Sequence, residues 1–247
     1  MLKEQALTLY KAAFPEDPED FAADFINRFF DKDCRYIIRD EKLVSMLFLL
    51  DAKMVFGGEK ISGKYLYAAA TLPEYRGKGL MAELIEKSKA ETVEKGKFLL
   101  TKPAEPSLFD YYGKFGFKTA VFSEDKLIKK QTEASPLKVI TAEEYRIKRE
   151  ELLNECAYIT LCDNDYVLSS FTLFADENTL AAVDTLETPP IVKEFISKDE
   201  EGIDKLLTAI SADEAFFRIE GETHFAMIIP PNNIKIPQKL HFMMALD

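Results

Sequence analysis

The stretch "YRGKGLMAELI", Tyr75 to Ile85, combines residue types that suit the binding of an anion. A helix start exposes unpaired backbone N–H groups and a positive partial charge. Ser, Thr, Asp or Asn usually answers those groups, yet none occurs between Tyr75 and Met81. Gly77 and Gly79 stand there instead, although glycine costs about 1 kcal/mol against alanine inside a helix. What glycine offers is close approach of a ligand to the backbone. Arg76 and Lys78 are cations at an end that disfavours them, unless an anion sits between. The pattern predicts an anion held by the main chain of Gly77, Lys78, Gly79, Leu80 and Met81, with Arg76 and Lys78 adding charge. The plainer alternative is a glycine turn with two solvated cations. The strand before and the amphipathic helix after favour the site.

Two phosphate-binding patterns fit poorly. A P-loop needs four residues between its glycines and then Lys-Ser or Lys-Thr, which are missing. Gly77-Lys78-Gly79-Leu80-Met81-Ala82 does satisfy a dinucleotide fingerprint. There, however, the strand runs almost directly into the first glycine, whereas Pro73 to Arg76 intervene here. The acidic residue expected about twenty positions on is also absent, since "FLLTKP" ends in Thr101 and Lys102 ahead of Pro103.

The elements that must carry this loop are legible on either side. The first residues read as helical. In "PEDPEDFAADFINRFF" Asp17 is the expected cap of a second helix and Pro18 its first residue, and Phe21, Phe25 and Phe29 recur as a core-facing stripe. "CRYIIRD" and "KLVSMLFLLD" form a hairpin around Asp40-Glu41-Lys42, and "KMVFGGEKI" contains a Gly-Gly turn. "GKYLYAAATL", Gly63 to Leu72, is a strand ended by Pro73. The helix after the glycine loop runs to about Lys95 and stops at Gly96. "KFLLT" is a strand, "PSLFDYYGKFGF" a short helix capped by Ser107, and "FKTAVFSED" a closing strand.

Residues 129–136, "KKQTEASP", form the expected linker, followed by a capping box at Thr141 and Glu144. This divides the chain into domains at 1–130 and 137–247. The second half repeats a motif of the first. "CAYITLCDNDYVLSSFTLFADENTLAAVDTL" and "CRYIIRDEKLVSMLFLLDAKM…KYLYAAATL" both read as a Cys-x-Tyr-Ile strand, an acidic turn, an apolar strand and an alanine-containing strand ending in Thr-Leu. After Thr185-Leu186, "ETPPIVKEFI" replaces the glycines and cations. The expectation is therefore one ligand loop, in the first half alone.

"LPEYRGKGL" resembles the pyrophosphate loop of the GCN5-related N-acetyltransferase (GNAT) superfamily, Arg/Gln-x-x-Gly-x-Gly/Ala, with Arg76, Gly79 and Met81 at the marked positions. "LFDYYGKFGF" resembles that family's tyrosine–glycine–phenylalanine segment, with Tyr112 four residues before Gly116. The resemblance covers about Met1 to Asp125. It implies an α/β fold: a mixed central sheet flanked by helices, then a second, smaller GNAT-like half that is degenerate.

The resemblance further implies acetyl-CoA (coenzyme A) as co-substrate, lying where "YAAATL" and "KFLLT" splay apart. Its peptide-like arm would pair with the backbone of Ala70, Thr71 and Leu72. Its pyrophosphate would lie on the amides of Gly77 to Met81. The small side chains of Ala68, Ala69 and Ala70 suit either this approach or tight packing under a helix. The implied reaction is direct attack of a primary amine on the thioester, with an oxyanion donor among the N–H groups near Leu72. Tyr112 is the implied catalytic residue, assisting the leaving thiolate. A tyrosine near pKa 10 protonating a thiolate near 8.5 is uphill by about 2 kcal/mol, so stabilisation outweighs full transfer. No general base stands out, as Glu74 and Glu83 read as surface residues. The different class of function left open is a non-catalytic acyl-CoA-binding regulatory module.

Composition narrows the partners. The chain has 247 residues, 47% hydrophobic and 30% charged, with net charge −11. An acidic chain is a poor nucleic-acid binder, because such binding rests on phosphate neutralisation. The longest apolar run, "LVSMLFLL", is far short of a membrane span. Cys34, Cys156 and Cys162 form no C-x-x-C pair, and with only His224 and His241 beside them no metal site is expected. Cys34 and Cys156 read as strand-packing residues, and both histidines as structural. A cytoplasmic location follows as an expectation. The acceptor is a small-molecule or peptide amine, with a cationic one slightly favoured by the negative charge. A homo-oligomer stays open.

Overall fold

The protein is described by a computed structural model that covers residues 1–161, 164–232 and 234–245. The chain divides into two compact units of similar length. The first is Met1–Lys53, Ile61–Lys118 and Met227–Ile236. The second is Met54–Lys60, Thr119–Ala226 and Pro237–Asp247. The main boundary therefore falls between Lys118 and Thr119, ahead of the polar 129–136 segment. No helix among the described residues is long and apolar enough to cross a membrane.

The first unit is a three-layer arrangement. Helices α1 (Leu2–Ala13) and α2 (Glu19–Asp33) precede β1 (Cys34–Arg39), β2 (Lys42–Phe56) and β3 (Glu59–Thr71). Then come α3 (Leu80–Thr92), β4 (Phe98–Thr101) and α4 (Ser107–Gly113). β1 and β2 are antiparallel, with Cys34 opposite Phe48. β3 and β4 are parallel, as a strand–helix–strand crossover requires. Helix α2 lays Phe25 against Phe48 and Tyr67 on one face of the sheet, at ring distances of 4.8 and 5.2 Å. Leu66, Leu49, Leu84, Ile85 and Tyr112 share the core on the other face. Coverage on both faces is why β2 is buried almost continuously from Leu43 to Ala52.

The Phe stripe of α2 is present, with Phe25 and Phe29 buried and Phe21 half-buried. Its start differs from expectation. Pro18 is itself the cap residue and no side chain caps the helix. The Asp17 carboxylate instead accepts a hydrogen bond from Tyr10 at 2.7 Å. The α3 end is as expected, a last 3₁₀ turn closed by Gly96 at φ 77°.

The second unit begins with β5 (Lys118–Lys129) from Thr119 onward, followed by β6 (Lys138–Val139), α5 (Ala142–Leu152) and β7 (Tyr158–Leu161). The Thr141–Glu144 capping box at α5 is formed on both sides. Helix α6 (Asn164–Leu168) stands where an apolar strand was expected to begin. Tyr166, Val167 and Leu168 are buried in that turn of helix. Then follow β8 (Thr172–Ala175), β9 (Thr179–Asp184), β10 (Ile191–Ser197), α7 (Gly202–Ala209), β11 (Glu214–Glu220) and β12 (Thr223–Ile229), whose last residues belong to the first unit.

The order β8–β9–β10–α7–β11 repeats β1–β2–β3–α3–β4. Both have two antiparallel pairings and then a parallel pair joined by a helix. The counterpart of β3 is therefore β10, not β9. The matching Thr-Leu endings of "AAATL" and "AVDTL" align the wrong strands, and "IVKEFI" is itself a strand. The true counterpart of the glycine loop is "KDEE", Lys198 to Glu201, before α7. Its three carboxylates oppose an anion more firmly than the prolines of the misaligned segment would.

β10 carries a fully buried charge, Glu194. Arg149 donates to both of its oxygens at 2.8 and 3.0 Å, Tyr145 donates at 2.6 Å and His241 Nε2 lies 2.8 Å away. Burial pushes the Glu194 carboxyl up, but Arg149 and His241 outweigh it and hold it well below the usual range. Its stabilisation is then complete above the unfolded value of about 4.3 and is lost as pH falls below that. Glu194→Gln leaves Arg149 buried without its counter-charge. We expect a loss of about 3–5 kcal/mol at neutral pH and a weaker acid dependence, both read from urea unfolding across pH.

Candidate active site

The site begins where two paired strands part. β3 pairs with β4 from Gly63 opposite Phe98 to Leu66 opposite Thr101, and pairing stops there. β3 continues to Thr71, while Pro103 has no N–H with which to extend a ladder. Ala68 turns into the left-handed region, at φ 49°, just past the last paired residue. That conformation costs about 1–2 kcal/mol for a residue with a Cβ. Thr101, 2% exposed, closes the vertex by donating its Oγ1 hydrogen to Leu66 O at 3.1 Å.

The other edge of β3 remains tied to β2. Leu72 N–H donates to Val44 O at 2.9 Å, and Ser45 Oγ donates to Ala70 O at 3.3 Å. Ser45 Oγ also lies 2.8 Å from Thr71 Oγ1. Alternation along the strand then turns the Thr71 main chain toward the gap, and with it that of Ala69. The Arg76 guanidinium, which donates from Nε to Thr71 O at 3.1 Å, lies on that open side. This amends the expectation for Ala70, Thr71 and Leu72. Only Thr71 presents its main chain to the gap, whereas Leu72 N–H is committed to Val44 and Leu72 O accepts from Tyr75 N–H. Leu72 N–H is therefore not the oxyanion donor. Thr71 and Ala69 N–H are the nearby alternatives.

Pro73–Tyr75 form one 3₁₀ turn that leads into the loop. Gly77 and Gly79 have φ 73° and 77°, a region that favours glycine. Gly79 is the cap of α3, and no side chain accepts from the first turn. The first helical bond runs from Glu83 N–H to Gly79 O, so the N–H groups of Leu80, Met81 and Ala82 have no partner within the helix. A side chain built at Gly77 or Gly79 would meet no atom within 4 Å, so the backbone is open to approach. Leu80 is buried and Met81 packs partly against the core, which anchors the turn from beneath. Arg76 and Lys78 are exposed, with Lys78 Nζ 4.7 Å above the Tyr75 ring. These features fit a pyrophosphate: open amides, a positive dipole end and two exposed cations.

Tyr112 projects from α4 and is 6% exposed. Tyr111 and Phe117 meet its ring edge-on, each at 5.5 Å. Burial pushes its hydroxyl up to about 12, against the opposing effect of a hydrogen bond with Thr101. Relative to a thiol near 8.5, full proton transfer would be uphill by about 5 kcal/mol. A buried hydroxyl of this kind works as a hydrogen-bond donor. The α4 start has no Ser107 cap, since Pro106 is the cap residue and makes no side-chain bond.

The remaining candidates lie outside this constellation. Glu83 is held by Lys87 at 2.6 Å, which lowers its carboxyl on an exposed helix face. Glu74 is exposed. His224 pairs with Thr119 at 2.9 Å, and His241 with Glu194. Cys34 is buried at the start of β1 with its thiol raised to about 12 by burial. Cys156 is exposed ahead of β7 rather than packed in a strand. Cys162 lies outside the described residues. Sequence reasoning missed Thr101 and Ser45, and named Ala68 for its small side chain but not for its left-handed backbone. Only Thr101 carried a signal, as the last residue before Lys102-Pro103 ends the strand.

Residues 3–120 match the acetyltransferase (GNAT) domain family, and the match ends beside the main boundary of the first compact unit. No curated protein matches the chain in sequence. Among solved structures, a GCN5-related N-acetyltransferase from Kribbella flavida is similar at 14% identity and TM-score 0.69, covering 93% of this chain and 69% of that one. Another, from Anabaena variabilis, is similar at 17% identity and TM-score 0.68, covering 91% and 69%. At these identities the likeness is one of fold.

The glycine requirement of the loop can be tested without a ligand. Gly79→Ala places a Cβ in the left-handed region with nothing to clash against. We expect a loss of about 1–2 kcal/mol in urea unfolding from strain alone. Gly113→Ala, at a helical position also open to a Cβ, serves as the control that does not lose stability.

Proposed function

We propose that the chain, whose residues 3–120 match the acetyltransferase (GNAT) domain family, is an N-acyltransferase that moves an acetyl group from acetyl-CoA to a primary amine. The observation that carries this reading is the junction of an unpaired β3 end with an uncapped helix start. One offers a peptide-like partner for pantetheine, the other a seat for pyrophosphate. Thr71 would pair with the pantetheine arm, and the amides from Gly77 to Met81 would hold the pyrophosphate with Arg76 and Lys78. To do so Arg76 must leave Thr71 O, which frees that carbonyl for the arm.

Bound acetyl-CoA supplies an activated acyl group as a thioester. The chain's own contributions are orientation and charge stabilisation. Ala69 or Thr71 N–H donates to the carbonyl oxygen as it gains charge. Tyr112, whose hydroxyl meets Thr101 in the free protein, would turn its hydrogen bond to the sulfur as the C–S bond breaks, without surrendering its proton. The acceptor is a small-molecule or peptide amine. The second half, with "KDEE" in place of a glycine loop, is read as a degenerate GNAT-like copy that binds no CoA.

Calorimetry with acetyl-CoA should give one site per chain. Thiol release across a panel of polyamines, aminoglycosides and Lys peptides should reveal turnover. Binding without turnover on any amine would favour the acyl-CoA-binding module instead. Tyr112→Phe should lower kcat by about 10–100-fold while leaving acetyl-CoA affinity within about twofold.

A further inference from the structure

The first unit contains a polar chain that the acyl-transfer reading leaves unused. Tyr10 from α1 is fully buried, and its hydroxyl donates to Asp17 Oδ2 at 2.7 Å. The same hydroxyl lies 3.0 Å from the Tyr67 hydroxyl. A tyrosine has one hydroxyl proton, and Tyr10 has committed its own to Asp17. Tyr67 must therefore be the donor to Tyr10. Every proton in the chain points one way, Tyr67 to Tyr10 to Asp17. Tyr67 is the β3 residue directly after the last pair with β4 and directly before Ala68 turns left-handed. Phe25 at 5.2 Å and Tyr65 at 5.9 Å hold its ring.

We propose that Tyr67, Tyr10 and Asp17 form the relay that takes the proton from the acceptor ammonium. The proposal rests on the N-acyltransferase reading and supplies the base it lacks. An amine of pKa about 10.4 arrives protonated and cannot attack in that form. In the relay, an ammonium N–H bond breaks and the proton joins Tyr67 Oη. The Tyr67 proton moves to Tyr10 Oη, and the Tyr10 proton to Asp17 Oδ2. The products are a neutral amine and a neutral carboxylic acid, with both tyrosines unchanged. The amine nitrogen then bonds to the thioester carbon, the C–S bond breaks, and the second nitrogen proton goes to the departing thiolate. Asp17 is half-buried and returns its proton to water. Burial raises its carboxyl, and the Tyr10 hydrogen bond only partly offsets this, so Asp17 is a better base than a surface carboxylate. Nearby, Lys11 of α1 is engaged by Glu19 of α2.

Specificity follows from the same placement. The relay suits an acceptor that arrives as an ammonium, which has no free lone pair until one proton has left.

The test compares wild type with Tyr67→Phe and Asp17→Asn, which keep shape and remove the relay. The readout is kcat/KM for spermidine and a Lys peptide from about pH 6 to pH 10. Both variants should lose about 10²-fold near pH 7. The deficit should shrink about tenfold per pH unit as the amine approaches its own pKa. Acetyl-CoA affinity by calorimetry should be unchanged, and the double variant should be no worse than either single one. Variants that keep the wild-type rate, or lose it equally at every pH, overturn the relay and leave the acyltransferase reading standing. A wild type that binds acetyl-CoA but acetylates no amine overturns both. If Tyr67→Phe fails to fold, Asp17→Asn on the α1–α2 connection carries the same comparison.

Discussion

The parting of β3 from β4 beyond Leu66 and Thr101 is the constraint on which the rest of the first unit depends. A parallel strand pair that stops early leaves main-chain groups facing a gap, and unpaired backbone groups are costly when buried. The fold answers on one side only. Val44 and Ser45 of β2 take up the groups of Ala70 and Leu72, so β3 keeps its line although β4 has left. The groups of Thr71 remain turned to the gap, met by the Arg76 side chain. The glycine-capped start of α3 follows within a few residues, so an open strand edge and a positive helix end lie close together in the chain. Thr101 ties the vertex to Tyr112, which links the opening of the sheet to the buried hydroxyl of α4.

The second unit repeats the topology and reverses the electrostatics. β10 departs from β11 after Val192, and its pairing with β9 is irregular between Val192 and Glu194, much as β3 is irregular at Ala68. Where the first unit leaves main chain open, the second inserts a buried carboxylate satisfied by Tyr145, Arg149 and His241. Where the first has "RGKG", the second has "KDEE". A buried ion cluster of this kind stabilises little in net terms, but it is costly to break. It fits a copy that has kept the architecture without the glycine loop.

Proton logic separates the two tyrosine systems. Tyr112 lies among aromatic rings with the neutral Thr101 hydroxyl as its hydrogen-bond partner, and burial makes it reluctant to give up its proton. Tyr10 is also buried, yet it is coupled to a carboxylate that can receive one. Burial alone would make both inert. In the proposed mechanism the neighbour decides that one stabilises charge while the other passes a proton along.

Much of the fold was legible in the sequence because local rules govern it. The β1–β2 hairpin, the Phe25–Phe29 stripe, the Gly96 stop and the Thr141–Glu144 box each depend on residues within one or two turns of each other. The uncapped glycine loop was legible for the same reason, since Gly77, Gly79 and the missing cap are adjacent. What only the tertiary structure decided involves partners far apart in sequence. Asp17 read as a cap because its neighbours suit one, yet a hydroxyl from α1 claims it. Ala70, Thr71 and Leu72 look equivalent in sequence, and pairing with Val44 and Ser45 makes them unequal. The repeat was visible, but its register was not, because a two-residue "TL" match is too short to fix which strands correspond. Parallel pairing across α7 identifies β10 as the counterpart of β3, and such pairing joins residues that no local pattern relates.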